Sequence, residues 1–258
     1  MGSLPAMFVI SLPDSPRQAA FRAHARSIGL EPELSPGVQP AGEPPWSPHY
    51  DDAGRRRLFG YPMQRGEVGC FLAHRNVWSA MVERRIPVAL VLEDDAVLAG
   101  SRLAEVVSAA KAILGRPLVA RLVSEPRPAI RIWRELGGGA CLGLPVRPGN
   151  LTTAYLITLE AAGALLTASE RFCFPVDDFM NHTYRHGVDI LHLEPELARH
   201  DAVRSEIGVR LKPPVTPWVR LRREWFRVGR SVCGGLGRLV GRLRLGLLLT
   251  RASPPRRD

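Results

Sequence analysis

No run of eighteen apolar residues occurs anywhere in the sequence, so it offers no clear transmembrane helix. Cysteine is sparse. Cys70, Cys141, Cys173 and Cys233 lie far apart with no CxxC pair, which argues against a zinc site and a disulfide scaffold and fits a reducing cytosol. The opening stretch MGSLPAMFVISLP has no basic residue ahead of its short apolar run and reads as a first strand, not a secretory signal. Ala6 stands where myristoylation needs Ser or Thr, so Gly2 carries little weight. Lysine is nearly missing, with Lys111 and Lys212 the only two, and no internal repeat is visible. Most of the chain also lacks net charge. Residues 216–258 hold eleven Arg against Glu224 and Asp258, or +9 of the formal +10, leaving +1 for residues 1–215. The expected organisation is a neutral globular body, 1–215, and a basic amphipathic tail, 216–258.

Hydrophobic residues make up 45% of the chain, enough for a full core. AMFVISL predicts a strand and RQAAFRAHARSIGL a helix ending at Gly29, the opening of an α/β layer fold. Residues 31–65 carry seven prolines and predict a long irregular excursion of the kind that borders a site. GEVGCFLAHRNVWSAMVERR predicts a helix with Glu67 in its first turn and Cys70, His74, Val77, Trp78 and Met81 on one stripe. The strand PVALVLEDD, the helix SRLAEVVSAAKAIL, the strands PLVARLV and TTAYLIT, the helix LEAAGALLTAS and the strand GVDILHL then alternate, which predicts a mainly parallel sheet. Residues 124–150 fit no element, and KPPVTP reads as a linker.

Glu93, Asp94 and Asp95 stand together after seven apolar residues. Ligands of open α/β sheets bind at the carboxyl ends of strands, and carboxylates there suit Mg2+ or Mn2+ held against a diphosphate. The plain alternative is a solvated strand-to-loop turn. A phospho-receiver uses a similar acidic pair, but after its very first strand and with a Lys from a later one. Here ninety-two residues precede Glu93 and neither lysine is suitably placed.

FVISLPDSPRQAAFRAHARSIGLE, GEVGCFLAHRNVWSAMVERRIPVALVLEDDAVL, TTAYLITLEAAGALL and FPVDDFM occur in an order and spacing that resembles glycosyltransferase family 25, over residues 7–208. That family includes bacterial lipopolysaccharide and lipooligosaccharide galactosyltransferases and related collagen galactosyltransferases. The chain departs from the pattern at Ser11, where the first strand usually ends INL, and at Ala73, where Ser usually precedes the His. The resemblance implies a GT-A-like (Rossmann-type) fold and an inverting, metal-dependent transfer of a hexose, galactose above all, from a UDP-sugar to lipopolysaccharide or another surface glycan. On this reading Asp94 and Asp95 bind Mn2+ or Mg2+, and Glu93 and His74 serve the substrate. Inversion also requires a general base for the acceptor hydroxyl. Asp177 or Asp178, in FPVDDFM, is the expected base and Glu67 the next candidate, against the plainer reading of a helix N-cap at the two aspartates. His74 on an apolar stripe also fits a satisfied core histidine, and Cys70 reads as packing. His192 and His200 are candidates to complete a metal sphere.

The tail mixes Arg with Trp218, Trp225, Phe226 and many leucines, which predicts attachment to an anionic membrane surface, with the enzyme cytoplasmic on the inner face. Nucleic acid is the weaker partner and a disordered basic end the plainer reading, since Gly234, Gly235 and Gly237 are expected to break any single helix. The rival to an enzyme is a non-catalytic relative that binds sugar or nucleic acid through this tail.

Overall fold

The computed structural model describes residues 4–200 and 214–254. In chain order the elements are β1 (Ala6–Ser11), α1 (Arg17–Ser27), β2 (Glu33–Pro36), α2 (Asp52–Phe59), α3 (Arg65–Glu83), β3 (Val88–Glu93), β4 (Ala96–Leu98), α4 (Leu103–Ile113), β5 (Leu118–Arg121), β6 (Ile130–Gly137), β7 (Ala140–Pro145), β8 (Ala154–Thr158), α5 (Leu159–Ala168), α6 (Val176–Met180), α7 (Thr183–His186), β9 (Asp189–Glu194), β10 (Ala198–His200) and α8 (Pro217–Arg244). Eight strands form one sheet in the order β2-β1-β3-β8-β5-β9-β7-β6, and β10 pairs with β4 apart from it.

The alternation of side chains along β1 and β3 divides the core in two. Val9, Val88, Leu90 and Leu92 point to the face covered by Phe21 and Ala25 of α1 and by Val106, Ala109 and Ile113 of α4. Phe8, Ile10, Ala89 and Val91 point to the other, against Phe71, Trp78 and Met81 of α3 and Ala161 and Leu165 of α5. Covered on both faces, β3 has to be apolar without interruption until it reaches the edge. The result is an α/β, Rossmann-type layer fold as expected, but the sheet is mixed. β2, β1 and β3 run parallel, as do β5 and β9, whereas β8 runs antiparallel between β3 and β5, and β7 antiparallel to β9 and β6.

Three stretches differ from the sequence expectation. The excursion 31–65 contains an edge strand, β2, and a helix, α2, whose N-cap Asp51 accepts from the Gly54 amide at 3.0 Å. The unassigned 124–150 folds largely into the hairpin β6–β7, turned by Gly137, Gly138 and Gly139 at positive φ. The tail forms one continuous helix of 28 residues, α8. Its glycines serve approach to the body. A Cβ on Gly237 would lie 2.8 Å from Thr183 Oγ1 and one on Gly241 2.6 Å from Asp189 Oδ1. Phe226 stacks on Phe174 with ring centroids 5.5 Å apart. No described helix is long and apolar enough to cross a membrane. Residues 201–208 of the resemblance and Lys212 and Pro213 of the linker lie outside the described residues.

Candidate active site

The carboxyl ends of the parallel neighbours β1 and β3 open on a cavity of about 820 Å³, walled by Ser11, residues 37–42, the start of α3, and Glu93, Asp94 and Asp95. Gly69 of the GEVGC motif sets the wall, because a Cβ there would lie 2.1 Å from the Val38 carbonyl oxygen. Only glycine lets the 37–42 loop lie against α3.

Each of the three acids has a different surrounding. Asp94 is buried. Its Oδ2 accepts from the Ser11 hydroxyl at 2.7 Å and the Ser15 hydroxyl at 2.6 Å, and its Oδ1 pairs with Arg17 at 3.0 Å. A guanidinium and two hydroxyls thus hold the Asp94 carboxylate at the cavity wall, where it ties the loop after β1 to the end of β3. Asp95 lines the cavity with Arg17 at 3.7 Å. Glu93 lies at the head of a buried chain of hydrogen bonds. The Trp78 indole N–H donates to the Tyr155 hydroxyl at 3.1 Å. That hydroxyl lies 2.9 Å from His74 Nδ1, and His74 Nε2 lies 3.2 Å from Glu93 Oε1. With the indole as a donor only, the Tyr155 O–H is left to donate to Nδ1, so Nε2 carries the proton and donates to Glu93. Burial pushes the Tyr155 phenol far up, which keeps it a donor. The Thr152 hydroxyl donates to the same Glu93 oxygen at 2.7 Å.

The donor set fits a divalent ion. Glu93 and Asp95 present hard oxygens to the cavity. Behind them the ligand atoms of Cys70, His74 and Glu93 lie within 4.8 Å of one another. Burial, reinforced by the nearby carboxylates of Glu93 and Asp177, holds the Cys70 thiol well above its usual range, so it is no nucleophile.

A second cavity of about 290 Å³ is lined by Arg55, Phe59, Tyr61, Glu67, Asn150, Asp177 and Asp178, and by Arg223, Phe226, Arg227 and Arg230 of α8. It gathers all three expected catalytic acids but sets them different tasks. Glu67 is the third residue of α3 and forms a capping box with Gln64, accepting the Gln64 amide at 3.0 Å. Asp178 pairs with Arg230 at 2.6 Å, and burial raises its carboxyl against that pull. Asp177 accepts the Asp178 amide at 2.8 Å and faces the cavity. Neither aspartate is the N-cap of α6, which is Pro175.

His192 lies inside β9, fully buried, its pKa lowered to about 3 by burial and by Arg121. It lines neither cavity and belongs to the core. The side chain of His200 lies outside the described residues. Sequence reasoning missed Ser11, Ser15 and Arg17, which hold Asp94, and Arg55, Arg223 and Arg230 at the second cavity. The departure at Ser11 was the available signal for the first group; nothing local marks the second.

The family model of glycosyltransferase family 25 (LPS biosynthesis protein) matches residues 4–115. A glycosyltransferase 25 family member of Drosophila melanogaster is 36% identical over 101 residues, covering 36% of this chain and 16% of the relative. One of Drosophila pseudoobscura pseudoobscura is 28% identical over 196 residues, covering 69% and 30%. Procollagen galactosyltransferase 1-B of Xenopus laevis is 56% identical over 36 residues, covering 14% and 6%. The match thus spans about a sixth of the length of the first of these relatives. Residues 4–115, which carry β1, the GEVGC helix and the acidic end of β3, are thus the part of this chain that is similar to glycosyltransferase family 25.

Proposed function

We propose that the chain is an inverting glycosyltransferase that binds a nucleotide-sugar donor, UDP-galactose above all, in the larger cavity and moves its hexose to an acceptor hydroxyl reached from the smaller one. The observation that carries this reading is the acidic strand end Glu93–Asp95 opening on a cavity of about 820 Å³ inside the segment similar to family 25. That volume suits a nucleotide sugar. Asp95 and Glu93 are the residues that would hold a divalent ion, Mn2+ or Mg2+, which when bound would supply charge neutralisation for a diphosphate. His74 fixes Glu93 from behind, and Arg17 adds a positive charge at the same wall. Asp177 is the base. It takes the acceptor proton as the new bond forms at the anomeric carbon and the bond to the diphosphate breaks. Asp178 is held by Arg230 and Glu67 by its capping box, which singles out Asp177 among the three.

The acceptor in this reading is a surface glycan such as lipopolysaccharide, and α8 carries the enzyme to it. Trp218, Leu221, Trp225, Val228, Val232, Leu236, Leu239 and Leu243 recur at spacings of three and four and are exposed, Trp218 at 76% and Trp225 at 70%. Arg220 and Arg222, both exposed, lie on the same helix. An apolar stripe beside arginines matches an anionic lipid surface. A cytoplasmic position on the inner face accords with four free cysteines.

Release of UDP from a panel of UDP-sugars, with and without Mn2+, tests the reading. Metal-stimulated hydrolysis or transfer with one sugar is the expected result. No release with any donor, with or without oligosaccharide acceptor, overturns it in favour of a non-catalytic binding relative.

A further inference from the structure

We propose that the smaller cavity is a binding site for a sugar ring that carries an anionic group, phosphate or carboxylate, and that α8 builds half of it. Resting on the glycosyltransferase reading, this is the acceptor subsite. The cavity gathers four guanidinium groups, those of Arg55, Arg223, Arg227 and Arg230, against the three carboxylates of Glu67, Asp177 and Asp178. Arg55 is only 6% exposed. It donates to the Cys173 carbonyl at 3.3 Å and lies over the Phe59 ring at 3.9 Å, and its Nε has no hydrogen-bond partner among the described residues. Arg223 reaches the same cavity from α8. Burial lowers the Arg55 pKa and the nearby Glu67 carboxylate pulls it back only in part, so a buried guanidinium with an unused Nε remains costly. An anion delivered by a ligand removes that cost, and the planar fork of Arg suits phosphate and carboxylate oxygens.

The rest of the lining fits a sugar ring. Phe59 and Phe226 meet edge to face at 6.2 Å and, with Tyr61, give apolar walls for the C–H faces of a ring. Asn150 and Asp177 stand on the cavity wall to take hydroxyls. A volume of about 290 Å³ admits one ring with its substituent and not a nucleotide sugar. Helix α8 then has two working faces, an apolar stripe outward and the acceptor wall inward. The tail, set apart from the body by its composition, completes the site.

The test uses the full chain and three probes, glucose 6-phosphate, glucuronate and glucose, with binding read by saturation-transfer NMR. Glucose 6-phosphate or glucuronate should bind about tenfold or more tightly than glucose, and the stronger of the two identifies the anionic group. The double variant Arg223→Gln, Arg227→Gln should bring the anionic sugars to within about twofold of glucose. Both positions lie on the half-exposed or exposed side of α8, so the fold is checked by its melting temperature. Equal binding of all three probes by the native chain, or an anionic preference that survives in the double variant, overturns the proposal. UDP-sugar binding is recorded alongside. Anionic-sugar binding with no UDP-sugar binding keeps this site and fails the glycosyltransferase reading.

Discussion

Two neighbouring carboxylates, Asp94 and Asp95, differ in everything except charge. Asp94 is held by Ser11, Ser15 and Arg17, while Asp95 borders the cavity. Asp95→Asn should therefore lower metal-dependent turnover by roughly a thousandfold with the melting temperature nearly unchanged. Asp94→Asn should instead lower the melting temperature, since two hydroxyls and a guanidinium lose a charged acceptor, at about 1–3 kcal/mol. Equal loss of activity with equal stability in both variants refutes this division. Asp177→Asn should lower kcat with the donor KM unchanged, whereas Asp178→Asn should act through the loss of the Arg230 pair. A kcat loss confined to Asp178→Asn moves the base to that residue. The chemical types at the site were legible in the sequence, because LEDD after a buried strand is a local pattern. Their division of labour was not. Ser11, Ser15 and Arg17 lie roughly eighty residues away, and only the pairing of β1 with β3 brings them to Asp94.

At the scale of elements, the periodic segments were readable and the contextual ones were not. α3 shows its stripe in sequence because one face packs on the sheet along its whole length. The hairpin β6–β7 hides because β6 is half exposed and bulged, so its pattern slips, and β2 hides because four residues at a sheet edge carry little signal. Glycine in α8 was the clearest misreading. Intrinsic propensity makes each one a breaker, yet tertiary contact decides. Gly235 has nothing within 4 Å of a built Cβ, while at Gly241 a Cβ meets buried Asp189, itself paired with Arg244 at 3.3 Å. Gly235→Ala should stabilise the chain by about 0.5–1 kcal/mol. Gly241→Ala should destabilise it by about 1–3 kcal/mol despite the same gain in propensity. Thermal melts of the two variants that shift in the same direction would show that α8 does not lie on α7 and β9 as described.

For the whole molecule, two properties follow from where charge is buried and where it is exposed. His182, His186 and His192 are almost fully buried, and burial lowers their pKa values to about 3, 4 and 3. Each stays neutral in the folded chain while its unfolded counterpart protonates near 6.5. The stabilisation is therefore complete above that pH and is lost as pH falls toward 4, at about 1–2 kcal/mol per histidine by pH 5. Urea midpoints that fall from pH 7 to pH 5, and fall less when one of the three is replaced by Gln, are the expected result; a flat profile contradicts it.

The exposed side of α8 sets the second property. The helix is about 42 Å long at 1.5 Å per residue, so its stripe presents two tryptophans and six aliphatic side chains along one line. Residues 216–258 carry +9, and each basic residue near an anionic leaflet contributes about 1 kcal/mol, so half of them suffice to hold the chain there. Residues 1–215, at +1, add almost no attraction. The full chain should sediment with anionic vesicles at low salt and release as ionic strength rises, because the Debye length shrinks to about 8 Å near 0.15 M. Trp218→Glu with Trp225→Glu should abolish sedimentation, since it removes the anchoring rings and lowers the charge together, while leaving the inward face and the acceptor wall in place. Undiminished vesicle binding by that variant would show that the stripe is not the contact surface, and salt-resistant capture of nucleic acid by the native chain would give the arginines to that partner instead.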